Sequence, residues 1–147
     1  MAAGEVSGNV QPKVRAAVVQ AGSIPLDTPA SLQKLRTFVA DAANRGAELV
    51  VFPEAFVGGY PKGQEFGVTV GRRTPQGRDQ FRAYWDCAIE LPGPETELLA
   101  ATAKDHGIHL VTGVIERDGG TLYCTALMFG DDGQLLGRHR KVTGLPR

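Results

Sequence analysis

The chain has 147 residues, 42% of them hydrophobic, and 16 Lys and Arg balance 16 Asp and Glu, so it carries no formal net charge. That is the profile of one ordinary soluble domain, which at this size buries roughly 68–70% of the surface its unfolded chain exposes and needs no disulfide or metal staple. The charge balance argues against nucleic-acid and membrane-surface partners, both of which call for a basic patch and a surplus of Lys and Arg.

Met1 to Lys13 includes Glu5 and lacks the apolar core of a signal peptide, and no segment approaches the roughly 18 apolar residues of a membrane span. Residues 1–13 therefore read as a disordered leader on a cytoplasmic protein. Val14 to Gln20 is a nearly continuous apolar run ended by Gly22 and Pro25, as expected of a buried strand. Thr28 and Pro29 read as an N-cap and first-turn proline, after which Leu32, Leu35, Val39, Ala42 and Ala43 recur at helical spacing up to a C-terminal cap at Gly46. Leu49 to Phe52 is a second apolar run stopped by Pro53, whose nitrogen cannot donate to a sheet ladder. Strand, helix and strand in this order predict a βαβ unit with a parallel pair and right-handed crossover.

Ala55 to Gln76 is rich in Gly and Pro and long for a plain connection, which is the character of a functional or mobile loop. Phe81, Tyr84, Trp85 and Ala88 predict a helix over about Arg78 to Cys87, and a further helix opens at Pro94, with Glu95 and Glu97 at its positive end, and closes at Gly107. Both are expected to lie on the sheet. Ile108–Ile115, Thr121–Phe129 and Gln134–His139 are β-prone stretches joined by Asp118-Gly119-Gly120 and Asp131-Asp132-Gly133, which is turn chemistry for hairpins. The expected fold class is α/β, a mixed sheet that starts parallel, ends antiparallel and carries its helices on one face.

Glu54 stands at the carboxyl end of a buried strand, where open α/β sheets present reactive groups, and is a candidate general base; the same position also suits an N-cap or a loop carboxylate in water. Lys141, behind Arg138, His139 and Arg140, is either a solvated basic strand end or an ammonium that stabilises charge opposite Glu54. Cys87 and Cys124 are the two cysteines; neither lies in a C-x-x-C pair, and both read as small buried hydrophobes rather than nucleophiles. His106 and His109 straddle Gly107 and share no helical face, so no metal site is expected, and Gly58 to Gly63 fits neither common phosphate-binding glycine pattern. Glu116 and Asp118 read as turn residues, and no cofactor is expected.

Val-Val-Phe-Pro-Glu-Ala-Phe at 50–56, Gly-Gly-Tyr-Pro-Lys-Gly at 58–63, Gly-Val-Ile-Glu-Arg-Asp-Gly at 113–119, Thr-Leu-Tyr-Cys-Thr at 121–125 and His-Arg-Lys at 139–141 together resemble the nitrilase family, most closely its true nitrilase and cyanoalanine nitrilase branch. The resemblance runs from about Val14 to Lys141 and implies an α-β-β-α sandwich and a Glu-Lys-Cys triad, in which Glu54 matches the general base and Lys141 the lysine. It implies a small-molecule nitrile as substrate, a carboxylic acid and ammonia as products, and assembly as a homo-oligomer. The Cys-Trp-Glu motif that carries the family's nucleophile has no counterpart here, and the segment after Lys141, Val-Thr-Gly-Leu-Pro-Arg, departs from the family's Met-Pro-Thr-like continuation. On this resemblance residues 14–141 are expected to form the N-terminal part of a carbon–nitrogen hydrolase domain, incomplete at the C-terminus, with 142–147 a divergent tail. Such a chain is expected to be inactive alone, with an open sheet face that favours association with copies of itself or with full-length subunits. An amidase or carbamoylase of the same superfamily is disfavoured by the Gly-Gly-Tyr-Pro-Lys-Gly segment.

Overall fold

The structure is a computed structural model that describes residues 13–61 and 74–141. Apart from Lys13, the expected leader lies outside the described residues, as do the 142–147 tail and the Lys62 and Gly63 end of the glycine-rich segment. One five-stranded sheet runs in the order β1 (Ala16–Val18), β2 (Leu49–Val51), β3 (His109–Asp118), β4 (Thr121–Phe129) and β5 (Leu135–Arg140). β1, β2 and β3 are parallel, and β3, β4 and β5 are joined antiparallel. The expected α/β fold with a mixed sheet, parallel at its start and antiparallel at its end, is therefore present.

Helix α1 (Thr28–Asn44) and helix α3 (Pro94–His106) share one face of this sheet, because Leu32, Leu35 and Val39 of α1 and Leu99 and Ala103 of α3 are buried in one core with Val50, Leu110, Val114 and Leu127. Side chains alternate along a strand, so the residues between these belong to the opposite face. Helix α2 (Pro75–Asp86) lies there, where Tyr84 packs with Ile115, Ala55 and Ala88. This corrects the expectation that the helices share one face.

Three local readings also change. Asp27, not Thr28, caps α1 by accepting from Ala30 N at 2.9 Å, while the Thr28 hydroxyl donates to the Cys87 carbonyl and ties the start of α1 to the end of α2. α2 starts three residues earlier than the apolar spacing predicts, because Thr74 caps it through Gly77 N and Pro75 occupies its first turn. The first strand is an edge with one open side: Val19 is buried but Val18 is 71% exposed. On the same face Val51, Val111 and Met128 are only half-buried, so among the described residues this side is covered mainly at the end held by α2. No described helix is long and apolar enough to cross a membrane.

Candidate functional site

The site is built where β2 stops. Phe52 N still donates to Val111 O, at 2.8 Å, and Pro53 O accepts from Gly113 N at 3.3 Å, after which the chain bows over β3 without ladder bonds until Val57, whose N–H donates to Gly113 O at 3.1 Å and whose carbonyl accepts from Ile115 N at 2.8 Å. Pro53, Glu54, Ala55 and Phe56 form the arch. Phe56 anchors it in the main core, 4.9 Å from the Phe52 ring, and Ala55 anchors it against Tyr84 and Ile115 while holding a left-handed φ of 52°. A non-glycine residue in that region carries strain of order 1 kcal/mol that the two anchors must hold.

The arch lies directly on Gly113. A Cβ added to Gly113 would stand 2.5 Å from Ala55 N and 2.6 Å from both Glu54 Cα and Pro53 O, all backbone or Cα atoms that cannot rotate aside. Gly113→Ala is therefore expected to displace Glu54 and to destabilise the chain by about 1–3 kcal/mol, the usual cost of overpacking, read as a lowered urea midpoint. An unchanged midpoint would mean that the arch retreats freely and that the close approach does not hold Glu54.

Lys141 reaches the same place from the other end of the sheet. Its N–H donates to Cys124 O at 2.8 Å, continuing the β4–β5 ladder by one residue past Thr125 and Arg140. Its Nζ lies 2.8 Å from Glu54 Oε1, and Cys124 Sγ donates to that same oxygen at 3.2 Å. Glu54, Cys124 and Lys141, with Tyr60, Tyr84 and Tyr123, line a cavity of about 610 Å³, within the range of small-molecule sites. The two residues singled out from sequence as base and lysine are thus an ion pair at the mouth of a cavity. Their side chains are about half exposed.

The electrostatics follow from these contacts. The Lys141 ammonium, then the Cys124 thiol, hold the Glu54 carboxyl below the usual carboxylate range, and Glu54 in turn raises Lys141. Burial, then the neighbouring carboxylate, pushes the Cys124 thiol up to about 11, and burial pushes Tyr84 up to about 12. At neutral pH the site therefore holds a carboxylate, an ammonium and a protonated thiol. Cys124 is not the inert core residue read from sequence, whereas Cys87 does sit apart, its thiol raised first by burial. Among the described residues no group of three or more His, Cys, Asp and Glu is gathered as metal ligands would be.

Glu116 and Asp118 are not turn residues. Glu116 is 1% exposed within β3 and accepts from Thr125 Oγ1 at 2.7 Å and from the guanidiniums of Arg138 and Arg140, while Asp118 accepts from Arg140 at 2.6 Å. Arg140 also lies over the Tyr123 ring, 4.0 Å from its centroid. The contacts clamp β5, and with it Lys141, to β3.

Residues 15–145 match the family described as carbon-nitrogen hydrolase. The chain is 57% identical over 131 residues to a bifunctional nitrilase/nitrile hydratase, NIT4A, of Lupinus angustifolius, covering 89% of this chain and 38% of that protein. It is 56% identical over 137 residues to an aliphatic nitrilase of Sinorhizobium fredii, covering 92% of this chain and 44% of that one. Among solved structures it is similar to Nit3 of Saccharomyces cerevisiae, with a TM-score of 0.67 and 31% identity over 88% of this chain and 44% of that chain. An amidase from Nesterenkonia sp. superposes with a TM-score of 0.61 and 26% identity, over 88% of this chain and 43% of that one. The chain spans less than half the length of these relatives.

Proposed function

The chain belongs to the carbon–nitrogen hydrolase family, and from that premise we propose that it supplies the base and the cation for hydrolysis of a nitrile to a carboxylic acid and ammonia. The observation that carries this reading is the Glu54–Lys141 pair, 2.8 Å apart at a cavity of small-molecule size. In the reaction, a cysteine thiolate adds to the nitrile carbon to give a thioimidate after Glu54 has taken the thiol proton. Glu54 then activates water for attack on the same carbon, ammonia leaves, and a second water releases the acid from the thioester. Lys141 stabilises the negative charge that builds on the nitrogen and in the tetrahedral intermediates. Nitriles are favoured over amides because the most similar relatives include nitrilases, and a bifunctional one among them keeps the amide in view as a second product. A cyanoalanine-type nitrile is the narrower proposal. The reading keeps the protein in the cytoplasm, a location supported by its two free thiols.

Neither thiol of the 147 residues suits the attacking role. Neither lies in the Cys-Trp-Glu motif that carries the family's nucleophile, Cys124 being followed by Thr125 and Cys87 by Ala88, and Cys87 also lies outside the cavity lining. A second reading rests on the open sheet face around the 71% exposed Val18: the chain co-assembles with full-length nitrilase subunits and modulates them. One experiment tests both, ammonia release from β-cyanoalanine and phenylacetonitrile by the purified 147-residue chain, alone and after mixing with a full-length relative and gel filtration. The expected result is no release by the chain alone. Release that Cys124→Ala abolishes would overturn the division of labour, and failure to co-elute would remove the second reading.

A further inference from the structure

Glu54 uses its two oxygens unequally. Oε1 accepts from both Lys141 Nζ and Cys124 Sγ, whereas no described residue donates to Oε2. We propose that Cys124 is a positioning residue for the Glu54 carboxylate, tying it to β4 through the thiol so that Oε1 is fixed and Oε2 is left to take a proton. The inference rests on the reading of Glu54 as the base.

A thiol suits this task where the lysine alone does not. Lys141 is a point charge on a flexible four-carbon stem, half exposed, and attracts the carboxylate without setting its rotation. Cys124 has one side-chain torsion to its sulfur and stands on a strand hydrogen-bonded on both sides, opposite Ile115 of β3 and one ladder step beyond the Thr125–Arg140 pair of β5. Its direction is set by the sheet. A donor must also keep its proton, and burial with the adjacent carboxylate does so by raising the thiol to about 11.

The test uses the chain with Cys87→Ala, which leaves Cys124 as the sole thiol. Glu54→Gln removes the charge that suppresses the Cys124 thiolate. Each unit of lowered thiol pKa raises the thiolate fraction tenfold while costing part of its nucleophilicity, so iodoacetamide at pH 8–9 is expected to alkylate Cys124 about threefold faster per unit. Equal alkylation rates would overturn the contact. In parallel, the Glu54 carboxyl is titrated by carbon NMR in chains labelled at glutamate, its signal assigned by its loss in Glu54→Gln. Cys124→Ser, which retains a donor, is expected to keep the low titration, and Cys124→Ala to move it up. Identical titrations in both variants would overturn the positioning role. These readouts need no turnover, so a response to Cys124→Ala stands even if residues 14–141, grafted in place of the matched part of a full-length relative, give no nitrile hydrolysis, which would sink the hydrolase reading alone, whereas hydrolysis by that graft with an indifferent Glu54 would sink this inference alone.

Discussion

Grafted in place of the matched part of the lupin relative, residues 14–141 are expected to yield an enzyme that releases ammonia from nitriles, and Glu54→Gln in that chimera to lower kcat by about 10²- to 10⁴-fold, the usual worth of a positioned general base. Lys141→Ala is expected to cost about 10²- to 10³-fold, the scale of one lost electrostatic stabiliser. The double variant should fall little further, because groups that act as a unit are not additive. The pH profile separates the roles. A carboxylate must be ionised to act as a base, so activity falls as pH drops through its pKa. Lys141 and Cys124 hold the Glu54 carboxyl low, which places the acid limb of kcat/KM below the ordinary value of 4.5; Lys141→Ala, which removes the larger cause, should shift that limb upward. A Glu54→Gln chimera within a few-fold of the parent rate would show that the base lies elsewhere.

How much of this was legible in the sequence depended on the range of the interaction responsible. The order of the βαβ start, the two hairpins and α3 is local, written in apolar spacing and turn glycines, and these elements occur in the expected order, with the cap of α1, the burial of β1 and the length of β3 changed. Glu54 was legible because a proline stops β2 beside it, and Lys141 because it follows the last strand. The start of α2 is also local: Thr74 sets a capping side chain just ahead of a first-turn proline, as Asp27 does for α1, whereas aromatic spacing alone begins the helix too late. The face on which α2 lies was not legible, since it is set by which side of Ile115 and Ala55 remains free. Cys124 could have been found by carrying the hairpin register one step further, because pairing Thr125 with Arg140 puts Cys124 opposite Lys141. Glu116 reads as a turn residue from sequence for a related reason. The β3–β4 loop is two residues long, so Glu116 belongs to the strand, where its neighbours across the sheet are Tyr123 and, beyond, the β5 arginines.

That buried carboxylate carries the second large effect. Glu116→Ala is expected to destabilise the chain by about 2–3 kcal/mol, below the roughly 3–5 kcal/mol for breaking a fully buried pair because Arg138 is 48% exposed and Arg140 keeps Asp118. The hydrogen bonds of Arg140, then that of Thr125, hold the Glu116 carboxyl below its ordinary value of 4.5. A carboxyl lowered on folding contributes stability that is full above its unfolded pKa and is lost as pH falls through the folded one. Urea midpoints of the parent chain should therefore decline below about pH 4.5 more steeply than those of Glu116→Ala, and the two should converge in acid. The loss should also reach the site, because β5 carries Lys141 and is clamped to β3 through Glu116. Amide exchange of Arg140 and Lys141 is expected to quicken in the variant while that of Leu110 and Val114, in the main core, changes no more than the global loss of stability requires. A Glu116→Ala chain with the parent's midpoint at neutral pH and unchanged exchange at Lys141 would mean that the ladder to Cys124 alone holds the lysine against Glu54.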